Sequence, residues 1–94
     1  MRLLVIHPMP AGLAREDVEN MQKSAQTDPE IKGYRSFLNL TEGKGVCVFE
    51  APSKARLADW LTKNKMNYDS ITEVELEGYR GELIDKPVAV GAER

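Results

Sequence analysis

Residues 33–53 read Gly33-Tyr34-Arg35-Ser36-Phe37-Leu38-Asn39-Leu40-Thr41-Glu42-Gly43-Lys44-Gly45-Val46-Cys47-Val48-Phe49-Glu50-Ala51-Pro52-Ser53, and they decide the fold. Two runs, 33–40 and 45–50, are rich in aromatic, β-branched and other apolar residues. Thr41-Glu42-Gly43-Lys44 parts them and supplies a glycine where a tight turn calls for positive φ, so the pair predicts a hairpin. Ala51-Pro52-Ser53 closes the second run. Ser53 suits the N-cap of an amphipathic helix that carries Ala55, Leu57, Ala58, Trp60 and Leu61 and ends near Asn64.

Working outward, residues 2–7 form a β-type run closed by Pro8 and Pro10. Leu13, Val18, Met21 and Ala25 recur at helical spacings with polar residues between them, which predicts an amphipathic helix over 13–25. Thr27-Asp28-Pro29-Glu30 stops it, because Pro29 restricts Asp28 to extended backbone. A last strand is predicted over 70–79, with Glu73, Glu75 and Glu77 on one face and Thr72, Val74 and Leu76 on the other. The order is strand, helix, strand, strand, helix, strand. That is the α+β, ferredoxin-like split β-α-β pattern, with a four-stranded antiparallel sheet and both helices on one face. We expect a domain over 1–82 and an arm or disordered tail over 83–94.

The other face of such a sheet has no helical cover. Leu3-Leu4-Val5-Ile6 and Val46-Cys47-Val48-Phe49 are apolar on both faces, where a half-exposed strand would alternate. A homodimer packed sheet against sheet is the expected remedy, since an isologous contact needs only one self-complementary patch.

The chain has 94 residues, thirteen Lys and Arg against fifteen Asp and Glu, and a net charge of −2. That balance lacks the positive excess a nucleic-acid partner demands. The longest apolar run, 3–6, is far short of a membrane span, and no signal-peptide layout precedes it, so a cytoplasmic protein with no membrane partner is expected. The single cysteine, Cys47, excludes an internal disulfide and a Cys-x-x-Cys site.

His7 is the only histidine and shares a strand face with Leu3 and Val5. It is either a strand-end packing residue or the best candidate ligand or acid/base, because imidazole titrates near neutrality. A metal bound there would take carboxylates for the rest of its shell, and Glu73 on the neighbouring edge strand is the candidate partner. Glu73, Glu75 and Glu77 alternatively solvate that edge. Arg35 with Tyr34 or Phe37 suits an anionic or aromatic ligand, or Arg35 pairs with Glu50 or Glu73; both readings bury Arg35. Cys47, mid-strand among apolar residues, reads as a small hydrophobe.

The segment Val46-Cys47-Val48-Phe49-Glu50-Ala51-Pro52-Ser53, followed by Asp69-Ser70-Ile71-Thr72-Glu73-Val74, resembles a family of small bacterial ferredoxin-like proteins. Most are of unknown function, and one is a nickel-responsive, nickel-binding homodimer. Leu4-Val5-Ile6 and the Pro-Gly loop after it are similar to that family's first strand, and the resemblance spans about residues 2–79. It implies a dimeric α/β barrel with a pocket between the sheets and a divalent transition metal, nickel, served by histidines. The chain departs from the family's Trp-Val-His-Ser-Tyr type of run, having Gly33-Tyr34-Arg35-Ser36-Phe37 there. Arg35 has no lone pair to offer a metal.

Two readings of function follow. In one, a homodimeric binding module holds a metal ion or small ligand between its sheets, with His7, Arg35, Tyr34, Phe37 and Glu50 as ligand-binding residues and His7 and Glu73 as metal ligands. In the other, a cofactor-independent oxygenase or isomerase acts on a cyclic or aromatic substrate, with His7 as acid/base and Arg35 as anion clamp. A purely structural dimer is the third possibility.

Overall fold

The computed structural model describes residues 1–9, 12–24 and 26–85. Its elements are β1 (Arg2–Pro8), α1 (Arg15–Ser24), β2 (Lys32–Asn39), β3 (Lys44–Glu50), α2 (Lys54–Lys63), β4 (Ser70–Glu73), β5 (Leu76–Tyr79) and β6 (Glu82–Asp85). The first six follow the expected order, and they assemble a four-stranded antiparallel sheet in the order β2-β3-β1-β4. This is the ferredoxin-like arrangement.

The hairpin and the second helix form for the local reasons the sequence supplies. Gly43 sits at φ 71° in the β2–β3 turn, a backbone region costly for a residue with a Cβ. Ser53 Oγ accepts the Arg56 N–H at 3.1 Å and caps α2. At the other end, the Asn64 N–H and side-chain amide both donate to the Trp60 carbonyl, and Lys65 turns the chain out at φ 57°. The first helix is shorter than predicted. Asp17 Oδ2 accepts the Ala14 N–H, so α1 opens two residues after Leu13. Asp28 Oδ1 accepts the N–H groups of Glu30 and Ile31 and turns the chain toward β2.

Strand register assigns the two sheet faces. Leu3, Val5 and His7 stand opposite Phe49, Cys47 and Gly45, and these residues face the helices. The core joins Leu3, Val5, Cys47 and Phe49 to Ile31, Leu57, Trp60 and Leu61, with Phe49 and Trp60 edge to face at 5.8 Å. Leu57 and Leu61 are fully buried, each worth about 2 kcal/mol of transfer free energy. On the opposite face, Leu4 pairs with Val48, Ile6 with Val46, and Val46 with Phe37. Ile6 is 44% exposed and Phe37 61% exposed, so an apolar patch lies open on this face.

One expected element is corrected. The single strand over 70–79 is two strands, β4 and β5, parted at Val74-Glu75. β4 pairs with β1 from Ile6–Ser70 to Leu3–Glu73, and the Val74 N–H donates to the Arg2 carbonyl. There β1 ends, and the chain pairs instead with β6 in a two-stranded ribbon. The expected alternation of Glu73, Glu75 and Glu77 on one continuous face is therefore broken. The boundary expected between residues 82 and 83 falls at the start of β6, and residues 86–94 of the expected arm lie outside the described residues.

Candidate functional site

The sheet separates the residues singled out from the sequence. His7 is buried on the helix-covered side, whereas Arg35 and Phe37 stand on the open face. Tyr34 is the extra residue of a β-bulge between Gly33 and Arg35. Its ring lies 4.1 Å from the Arg2 guanidinium carbon.

Arg2, the first residue of β1, organises one end of the open face. Its Nε donates to Glu50 Oε1 at 2.7 Å, and its Nη1 pairs with Glu77 of β5. Arg2 and Glu50 are both buried, so the pair is a fixed structural node in which guanidinium and carboxylate offset each other's desolvation. Glu50 is thus engaged by Arg2. Arg35, expected indoors, is exposed and lies 5.7 Å from the Phe37 ring centroid.

Glu73 does not meet His7. It pairs with Leu3, four residues along β1, a separation of about 13 Å at strand rise. The acidic residue beside His7 is Asp69, whose N–H donates to the Ile6 carbonyl at 2.7 Å. Burial holds the His7 imidazole below its ordinary pKa, and the Asp69 charge opposes that effect. A neutral ring follows, with a lone pair to give.

The ring has an unexpected neighbour. His7 Nε2 lies 3.0 Å from Cys47 Sγ. Register explains the meeting: His7 stands opposite Gly45, which has no side chain, so the ring crosses that position to the residue two further along β3. The Ser36 hydroxyl, directly across from Cys47 on β2, donates to Sγ at 3.2 Å, and the Gln22 amide of α1 donates to Ser36 Oγ at 3.0 Å. Burial pushes the Cys47 thiol up, with the Ser36 hydrogen bond opposing. From its mid-strand position in the sequence, Cys47 is expected only to be a small hydrophobe of the core. Placing it beside His7 needs the β1–β3 register, which the hairpin by itself does not supply.

Around this pair the helices and sheet leave a cavity of about 30 Å³, lined in part by His7, Met9, Met21, Ser36, Cys47 and Met66. It has room for one water-sized body. An organic substrate needs roughly 300 Å³ or more; the inner cavity is smaller than that, an open groove of about 340 Å³ beside His7 is not, and Arg35 lies across the sheet from His7. Among the described residues, no three His, Cys, Asp or Glu side chains gather as a metal-holding group. The donor set at His7 is one nitrogen and the sulfurs around it. No helix among the described residues is long and apolar enough to cross a membrane.

Fold and site together define a small α+β ferredoxin-like protein with a sulfur-rich histidine niche under its helices. The chain belongs to the family described as nickel responsive protein, SCO4226-like, whose sequence model matches residues 4–74. Its fold is similar to that in the crystal structure of SCO4226 from Streptomyces coelicolor A3(2), with a TM-score of 0.69 and 16% identity over 83% of this chain and 100% of that one. No curated protein matches the chain.

Proposed function

We propose that this protein is a cytoplasmic, homodimeric metal-binding module whose metal is held within each subunit at His7. The observation that carries the metal reading is the His7 Nε2–Cys47 Sγ approach of 3.0 Å beside an ion-sized cavity. A neutral imidazole and a sulfur are both transition-metal donors, and a reducing compartment keeps the thiol available. Membership of a family described as nickel responsive supports the same reading. The Glu73 carboxylate is too far along the strand to complete the shell within one chain.

The dimer would form over the open sheet face. Leu4, Ile6, Phe37, Val46 and Val48 supply an apolar patch on one side of the sheet, and a second copy offers the same patch in return. In that dimer Tyr34, Arg35 and Phe37 border the space between the sheets. The exposed guanidinium beside an aromatic ring favours a second reading there, an anionic or aromatic small molecule.

Calorimetric titration of wild type and His7→Ala with nickel, copper and zinc tests the metal reading. Saturable binding by wild type that disappears in the variant is expected; no saturable binding, or equal binding by both, would remove the metal from His7.

A further inference from the structure

All three internal methionines of the chain converge on its one histidine and one cysteine. Met9, Met21 and Met66 line the cavity beside His7 and Cys47. They come from three separate places, the end of β1, helix α1 and the turn after α2, so the convergence is a product of the tertiary fold.

Met9 is held in position. Its N–H donates to the Gly43 carbonyl at 2.9 Å in the β2–β3 turn, and the side chain is buried. Gly45 lets the His7 and Met9 side chains close over its backbone. A methyl group built on Gly45 would lie 2.9 Å from Leu38 Cδ2 and 3.1 Å from both His7 Nε2 and Met9 Sδ, so nitrogen and thioether come together over the glycine, where a side chain would otherwise stand. Cys47 Sγ is 3.0 Å from the same nitrogen. One imidazole nitrogen, one thiol sulfur and one thioether sulfur therefore border a single niche, with Met21 and Met66 beside them.

We propose that this niche is a binding site for a soft monovalent metal ion, Cu(I), with His7 Nε2, Cys47 Sγ and Met9 Sδ as its ligands. The proposal rests on the metal-binding reading above and names the class of ion. Donor softness is the first argument: thiolate and thioether favour Cu(I), whereas nickel is served by nitrogen and oxygen donors, of which His7 supplies one. Charge is the second. On binding, the thiol S–H bond breaks, its proton leaves to solvent and a Cu–S bond forms. A thiolate, a neutral imidazole and a neutral thioether around Cu(I) sum to zero charge, whereas a divalent ion would leave one positive charge at a buried site with only the exposed Asp69 carboxylate to offset it.

There is also a route in. An open groove of about 340 Å³, lined by His7, Pro8, Met9, Met21, Lys65, Met66 and Asn67, shares His7 and all three methionines with the inner cavity. An ion entering there meets thioethers first. Methionine's unbranched side chain lets the niche widen as the His7–Cys47 hydrogen bond gives way to the metal.

The test is anaerobic titration of the full chain with Cu(I) against a chromophoric Cu(I) chelator, with nickel titrated in parallel. Variants are Cys47→Ser, His7→Gln and the volume-conserving Met9→Leu, whose fold is checked by circular dichroism. One Cu(I) per chain is expected, with binding lost in Cys47→Ser and weakened at least about tenfold in a folded Met9→Leu, the scale on which even changes outside a ligand set act. Unweakened binding by Met9→Leu or Cys47→Ser would overturn the site. Saturable nickel binding without competition for Cu(I) would overturn the ion class and leave the metal-binding reading standing, whereas no binding of either ion would end both.

Discussion

His7 Nε2 lies 3.0 Å from Cys47 Sγ, across β1 and β3 and over Gly45, the residue directly opposite the histidine. Forty positions of sequence separate the two, and neither is at the surface. The contact turns a core cysteine and a strand-end histidine into one donor pair. It also sets the niche apart from the open sheet face.

Gly45→Ala tests whether the niche depends on the missing side chain. The added methyl meets Leu38 Cδ2 at 2.9 Å and crowds His7 Nε2 and Met9 Sδ at 3.1 Å. A flexible leucine end gives way, but the ring and the thioether have less room. We expect a stability loss of about 1–3 kcal/mol in urea unfolding and loss of metal binding in a still-folded protein.

The metal-free protein should lose stability as pH falls below His7's ordinary value of 6.5. Burial lowers the folded-state value, so below 6.5 the unfolded chain takes up its proton first and stability declines until pH passes the folded value. Asp69, the charge that opposes the shift, and the neutral Cys47 thiol face the ring. Thermal melts of wild type and His7→Gln across this range would show the slope in wild type and a flatter line in the variant.

Arg2→Ala should be among the most destabilising single changes on the open face. It takes the guanidinium from buried Glu50, from Glu77 and from the Tyr34 ring. A cost of about 3–5 kcal/mol in denaturant unfolding is expected. Replacing Arg2 and Glu50 together by methionine should recover much of it, since no buried carboxylate then remains at that node.

Phe37→Glu addresses the dimer. The side chain is 61% exposed in a single chain, so the change should leave the subunit fold intact. A charge facing its own symmetry mate would disfavour sheet-to-sheet packing. Light scattering should give twice the chain mass for wild type and the chain mass for the variant; a monomeric wild type at micromolar concentration would contradict the dimer.

The element order was legible because its signals are local. Glycine in the 41–44 turn, Ser53 as a cap and Pro29 as a stop each act within a few residues. The length of the last strand was not local. Alternation continues past Glu73, but pairing stops where β1 ends, and only the register with β1 reveals that. His7 and Arg35 look alike as candidates in the sequence because β1 is apolar on both sides. Period-two alternation places His7 with Leu3 and Val5 without saying which side the helices cover.

The sequence by itself determined a ferredoxin-like order of elements, an open apolar sheet face and the residues sharing each strand face, because propensity, turn chemistry and periodicity are short-range. Only the tertiary structure decided that the helices lie over His7 rather than over Arg35. It alone brought Cys47, Met9, Met21 and Met66 to the histidine. Those meetings depend on strand register and helix crossover, which long-range packing selects and no short window of residues encodes.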